Sequence, residues 1–201
     1  MRIQSFVEGF GEVQALPVLL RRFQGLSGAF TLNFERPIRA SYFQLTRELP
    51  LRALIRRTLQ QRSADGLLFL FDGDDACPKE LAPRIQAWAQ EEAGHPRCAV
   101  VIAQREYEAW FLASLTSLRG IRSIPPDAAP PLEPEAIRGA KERLGRGYDQ
   151  ADDQAALTAV FDLAAAYRSC RSFRRMVRAF GLLAEGTGIP LADWPPPSWL
   201  A

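Results

Sequence analysis

Acidic residues crowd into three short stretches of the chain: FVEGFGEV (6–13), FLFDGDDACP (69–78) and QREYEAWF (104–111). In the second, Asp72, Asp74 and Asp75 directly follow the apolar run Leu67 to Phe71. Carboxylates this close repel one another unless something positive sits between them. Hard oxygen donors gathered around one point suit Mg²⁺ or Mn²⁺ better than zinc. Gly73 would let the backbone turn tightly, so that Asp72 and Asp74 face the same ion. Glu8 and Glu12 lie one helical turn apart in the first stretch, and Glu106 and Glu108 alternate in the third. The plainer readings are a solvated turn, with Asp75 capping a helix that begins near Pro78. Glu12, and one of Glu106 and Glu108, would then complement the N-terminal dipole of their helices.

The elements around these acids decide between the readings. Apolar runs rich in β-branched and aromatic residues predict strands over 3–9, 28–35, 67–72 and 97–104. Helical spacing predicts helices over 12–23, 51–63, 78–94 and 106–118. The alternation gives an α/β fold, a mainly parallel four-stranded sheet flanked by helices. Ligands of such sheets collect outside the carboxyl ends of the strands. Glu8, the Asp72 cluster and Glu108 all fall at such ends, and they converge if the first, third and fourth strands are neighbours. Residues 1–120 are expected to form this domain. Residues 121–201 would supply a Pro-rich loop (121–135), helices over 134–144, 151–168 and 170–184, and a Pro-rich tail, packed on the same domain.

Composition narrows the class. The chain has 201 residues, 47% hydrophobic and 24% charged, as in soluble globular proteins. No apolar run approaches the roughly 18 residues of a membrane span, and no signal peptide is visible at the N-terminus. Cys77, Cys98 and Cys170 are widely spaced and His95 is the lone histidine, which argues against disulfide and zinc frameworks and for a reducing cytoplasm. Net charge is only +2, but Arg171, Arg174, Arg175 and Arg178 fall on one side of a helix. They could contact a phosphate backbone, or form a solvated face opposite Phe173, Val177 and Phe180. Lys79 and Lys141 are the two lysines among 25 basic residues.

VEGFGEVQALPVLLRR, FLFDGDD, EYEAWFLA and the distal GAKERLG and SFRRMVRAF segments resemble, in that order, an uncharacterised bacterial Toprim-like family. It is related to the Toprim domain of topoisomerases, primases and overcoming-lysogenization-defect nucleases, and the likeness runs nearly full length. The resemblance implies that Glu8 is a general acid/base or metal ligand. It implies that Glu12, Asp72 and Asp74 hold one or two Mg²⁺ or Mn²⁺, with Glu108, in preference to Glu106, as a further ligand. Lys141 would stabilise charge on a phosphate if its helix folds back over the sheet edge. Many Toprim nucleases carry Thr where this chain has Gly11, a change that removes a hydroxyl and leaves a more flexible loop. The implied activity is metal-dependent phosphodiester hydrolysis, on DNA in preference to RNA, beside an ATPase partner in bacterial defence and away from membranes. The rival is a non-catalytic Toprim-like scaffold. A receiver domain would need a lysine after a fifth strand, and a haloacid-dehalogenase phosphatase its DxD after the first, so both fit less well.

Overall fold

A computed structural model describes residues 1–95, 97–185, 188, 191 and 193–200. The sheet is built from β1 (Arg2–Val7), β2 (Asn33–Phe34), β3 (Ile38–Arg39), β4 (Gly66–Asp72) and β5 (Cys98–Ala103). All pairings are parallel, in the order β2-β1-β4-β5, with β3 also on β1. The first, third and fourth predicted strands are therefore neighbours. β4 is buried through Phe71 on both faces, as its unbroken apolar run requires.

The predicted strand over 28–35 is much shorter than expected, and the reason is local. Ala29 and Leu32 turn inward as buried residues, leaving only Asn33–Phe34 to pair. The same edge resumes at Ile38–Arg39. Between them Pro37 has no N–H to give the ladder, and Gln4 Nε2 instead donates to the Arg36 carbonyl at 3.1 Å.

The helices are α1 (Phe10–Ser27), α2 (Tyr42–Thr46), α3 (Glu48–Gln61), α4 (Pro78–Ala93), α5 (Ala109–Ala113), α6 (Leu115–Leu118), α7 (Ala140–Arg143), α8 (Gln150–Val160), α9 (Leu163–Ser169) and α10 (Arg171–Glu185). Three predicted helices are broken. The one over 106–118 divides at Ser114, whose hydroxyl donates back to the Trp110 carbonyl at 2.9 Å. The one over 151–168 divides where Phe161 is extended and Asp162 caps α9 through the amides of Ala164 and Ala165. Of the one over 134–144, only a 3₁₀ turn (Pro134–Ala136) and α7 remain.

One sheet face packs Phe6, Phe69 and Phe71 against Ile55 of α3 and Ile85 of α4. The other packs Leu68, Leu70 and Val101 with Phe23 of α1, Trp110, and Phe173 and Phe180 of α10. Trp194 and Trp199 of the tail close over Phe23, at ring-centroid distances of 5.1 and 6.5 Å. Among the described residues no helix is long and apolar enough to cross a membrane.

Candidate metal and phosphate site

Asp72 is the last residue of β4, between the ends of β1 and β5. Its Oδ1 accepts a hydrogen bond from the Tyr107 amide at 2.8 Å. Its Oδ2 lies 3.9 Å from Lys141 Nζ. Glu108, fully buried just before α5, accepts from the Tyr148 hydroxyl at 2.8 Å and from Gln154 Nε2 at 3.4 Å, both on Oε1. Glu12, 1% exposed in the first turn of α1, folds back so that a Cβ on Gly9 would strike its Oε2. Glu8 and the exposed Asp74 stand further out on the same strand ends.

These carboxylates are held against their preference for water. Glu8 Oε2, Glu12 Oε2 and Glu108 Oε2 are buried with no hydrogen-bond partner among the described residues. Burial pushes the Glu108 carboxyl up to about 7, with Lys141 and the Tyr148 hydroxyl pulling the other way. Burial, then the charges of Glu108 and Glu12, lift Asp72 well above its ordinary value. Glu12 is raised by burial, which backbone N–H groups at the start of its helix partly offset. Burial, Asp74 and Glu12 raise Glu8. Lys141 is pressed downward by burial, yet Glu108, Asp72, Glu106 and Glu12 hold it above its ordinary value. One lysine thus faces an excess of acids.

Lys141 does reach the sheet edge, and Glu106 brings it there. Glu106 Oε1 accepts from the Gly139 and Ala140 amides at 3.1 and 3.2 Å, so this acid caps α7, the helix that carries Lys141. Of the two acids expected to meet a helix N-terminus in this stretch, Glu108 stands directly before α5, and Glu106 is a tether across the site. Asp75 also departs from expectation. α4 starts at Pro78 with no side-chain cap at Cys77, and Asp75 is drawn outward to Arg138 at 2.7 Å and Arg105 at 3.1 Å.

Both glycines of interest serve close approach. A Cβ on Gly73 would sit 2.8 Å from the Ala103 carbonyl oxygen and from Ile102 Cγ2 of β5. The left-handed turn falls on Asp74 instead, at φ 45°. Gly11 belongs to no flexible loop, because it is buried inside α1. A Cβ there would collide with Gln154 Oε1 and lie 2.7 Å from the Gln150 carbonyl of α8. Gly11→Ala should therefore cost about 1–3 kcal/mol, read as a lower urea midpoint at unchanged m-value. An unchanged midpoint would show that α8 yields freely.

The acids are not closed into a ready-made cage: among the described residues no group of three Asp, Glu, His or Cys stands at metal-ligand spacing. A cation entering here would have to draw the carboxylates together. The donors nonetheless fit a hard divalent ion, since they are oxygens, in excess over local positive charge, and three are unpartnered.

A family model described as a domain of unknown function, DUF4276, matches residues 7–180, a span that includes every residue of this cluster. The chain belongs to the DUF4276 family. No curated protein and no solved structure matches it. In this DUF4276 chain Tyr148, Gln154 and Arg138 support the acids without having been singled out from sequence. Tyr148 sits between the GAKERLG and SFRRMVRAF segments and Gln154 one turn beyond Gln150, but neither spacing announces a carboxylate partner.

The arginines of α10 lie elsewhere. Arg171, Arg174, Arg175 and Arg178 are exposed along one face and line a groove of about 480 Å³ with Tyr167 and Trp194. Arg174 is partly structural, donating to the carbonyls of Tyr167 and Arg168 at the end of α9, both at 2.9 Å. Arg171 and Arg175 also border a second cavity, of about 730 Å³, that reaches Asp75 and Lys79.

Proposed function

We propose that the protein is a metal-dependent phosphodiester hydrolase of Toprim type, using Mg²⁺ or Mn²⁺ on DNA in preference to RNA. The observation that carries this reading is the set of buried, unpartnered carboxylate oxygens on Glu8, Glu12 and Glu108, gathered with Asp72 around Lys141. A protein keeps buried acids in this state only at a cost in stability, and functional sites are where such costs are retained. Glu12, Asp72, Asp74 and Glu108 would hold the ion, and Glu8 would hold it or move a proton at the attacking water. When bound, the ion would polarise the phosphoryl oxygens and lower the pKa of a coordinated water. Lys141 would stand against a phosphoryl oxygen, kept protonated by the acids around it. Tyr148 and Gln154 orient Glu108, and the Tyr107 amide orients Asp72. Arg171, Arg175 and Arg178 would take the phosphate backbone away from the chemistry. An ATPase partner and a cytoplasmic role in defence belong to the same reading.

The test is incubation with plasmid, linear duplex, single-stranded DNA and RNA, each with Mg²⁺, Mn²⁺ or EDTA, beside calorimetric titration of the metal. Cleavage that needs metal is expected. Absence of both cleavage and metal binding would leave a non-catalytic binding module.

A further inference from the structure

Phe10 is 68% exposed at the start of α1, between Glu8 and Glu12 in the chain. Arg39 lays its guanidinium 3.7 Å from the centroid of the Phe10 ring. Arg39 lies on β3, which pairs with β1 at Val7, so this stack stands at the strand end that carries Glu8. With Arg39 on one face, so high an exposure leaves the opposite face of the ring to solvent. Tyr42 adds a second aromatic group on this side. Its phenol is raised by burial and by the charges of Asp74 and Glu8, and its ring meets Phe71 at 6.0 Å. Single exposed apolar residues are ordinary on protein surfaces. An aromatic ring already stacked on a cation, at the rim of a cluster of buried acids, is a more specific arrangement.

An aromatic face beside a fixed positive charge is the chemistry that grips an unpaired nucleotide: the base stacks and the guanidinium meets the phosphate. In a duplex the bases are covered by their neighbours and cannot lie on the ring without being flipped out. We propose that Phe10 and Arg39 hold one unpaired nucleotide at the mouth of the acid cluster, so that the substrate is single-stranded nucleic acid. The proposal rests on the hydrolase reading for its substrate class, but its binding step can be measured without any metal.

Fluorescence anisotropy in EDTA, where nothing is cut, would follow a labelled oligothymidylate of about 12 nucleotides and a duplex of equal length. Phe10→Ala should weaken binding of the single strand by about 5- to 100-fold, leave duplex binding unchanged, and be rescued by Phe10→Trp. Because the side chain is exposed, the variant should keep the wild-type circular dichroism and melting midpoint. Equal single-strand affinity in Phe10→Ala and wild type, or equal weakening for both nucleic acids, would overturn the proposal. If the wild type cleaves duplex but neither binds nor cleaves single strands, the grip falls and the hydrolase reading survives. If the oligonucleotide binds in a Phe10-dependent way but no substrate is cut with metal, the hydrolase reading falls and the grip stands.

Discussion

Asp72→Asn should reduce metal-dependent cleavage on the order of a thousandfold and at the same time raise the melting midpoint in EDTA. Asparagine keeps the volume and an oxygen for the Tyr107 amide, which donates to Asp72 at 2.8 Å. It removes the negative charge that the proposed ion and Lys141 share. It also removes a group lifted far from its ordinary protonation by burial and by Glu108 and Glu12. A carboxylate retained for structure alone would behave in the opposite way, losing stability when neutralised. Each kcal/mol gained should appear as about 2–4 °C in a chain of this size. Cleavage within tenfold of wild type, or a lower midpoint, would remove Asp72 from the reaction.

The second large effect is on stability against pH in the absence of metal. Glu108 titrates near the ordinary carboxylate value of 4.5 when unfolded and at about 7 when folded. Folding therefore takes up a proton between these values, and stability contributed by the neutral form is complete below about 4.5 and lost as pH rises through about 7. The shift corresponds to about 3 kcal/mol. Glu108→Gln should abolish this part of the slope, so its denaturation midpoint in EDTA should exceed that of wild type at pH 8 and match it near pH 4.5. Parallel curves for the two proteins across the range would show that Glu108 takes up no extra proton on folding, its carboxyl titrating alike in both states. Mg²⁺ at pH 8 should restore the wild type and not the variant, because the ion replaces the lost protons.

Much of this site is written in short patterns. The apolar run before Asp72, the Gly9 break after β1 and the acids of QREYEAWF each mark a strand end, and β1, β4 and β5 do lie side by side. Periodicity fails where tertiary contacts outbid it. Residues 28–35 have strand composition, yet Ala29 and Leu32 gain more by burial, and Pro37 interrupts the edge. Asp75 has a cap's position but finds two guanidinium groups. Gly11 looks like freedom in a loop and is a contact surface for α8, a fact that depends on a partner well over a hundred residues away. The delivery of Lys141 by Glu106 has no local signature at all, since it needs the Pro-rich segment to return across the sheet.

The first turn of α1 has a consequence for the sign of the field at this corner. An 18-residue helix begins at Phe10 with no side-chain cap, and its positive end, equivalent to about half a charge, carries Glu12 in its first turn and lies just after Glu8 in the chain. Together with Lys141 it would make an attractive place for an anion. The acids oppose that polarity, and in the proposed hydrolase they would turn a corner suited to an anion into one that first takes a cation. Neutralising them should uncover the preference for an anion, so that variants lacking these acids hold nucleic acid more tightly than the wild type does.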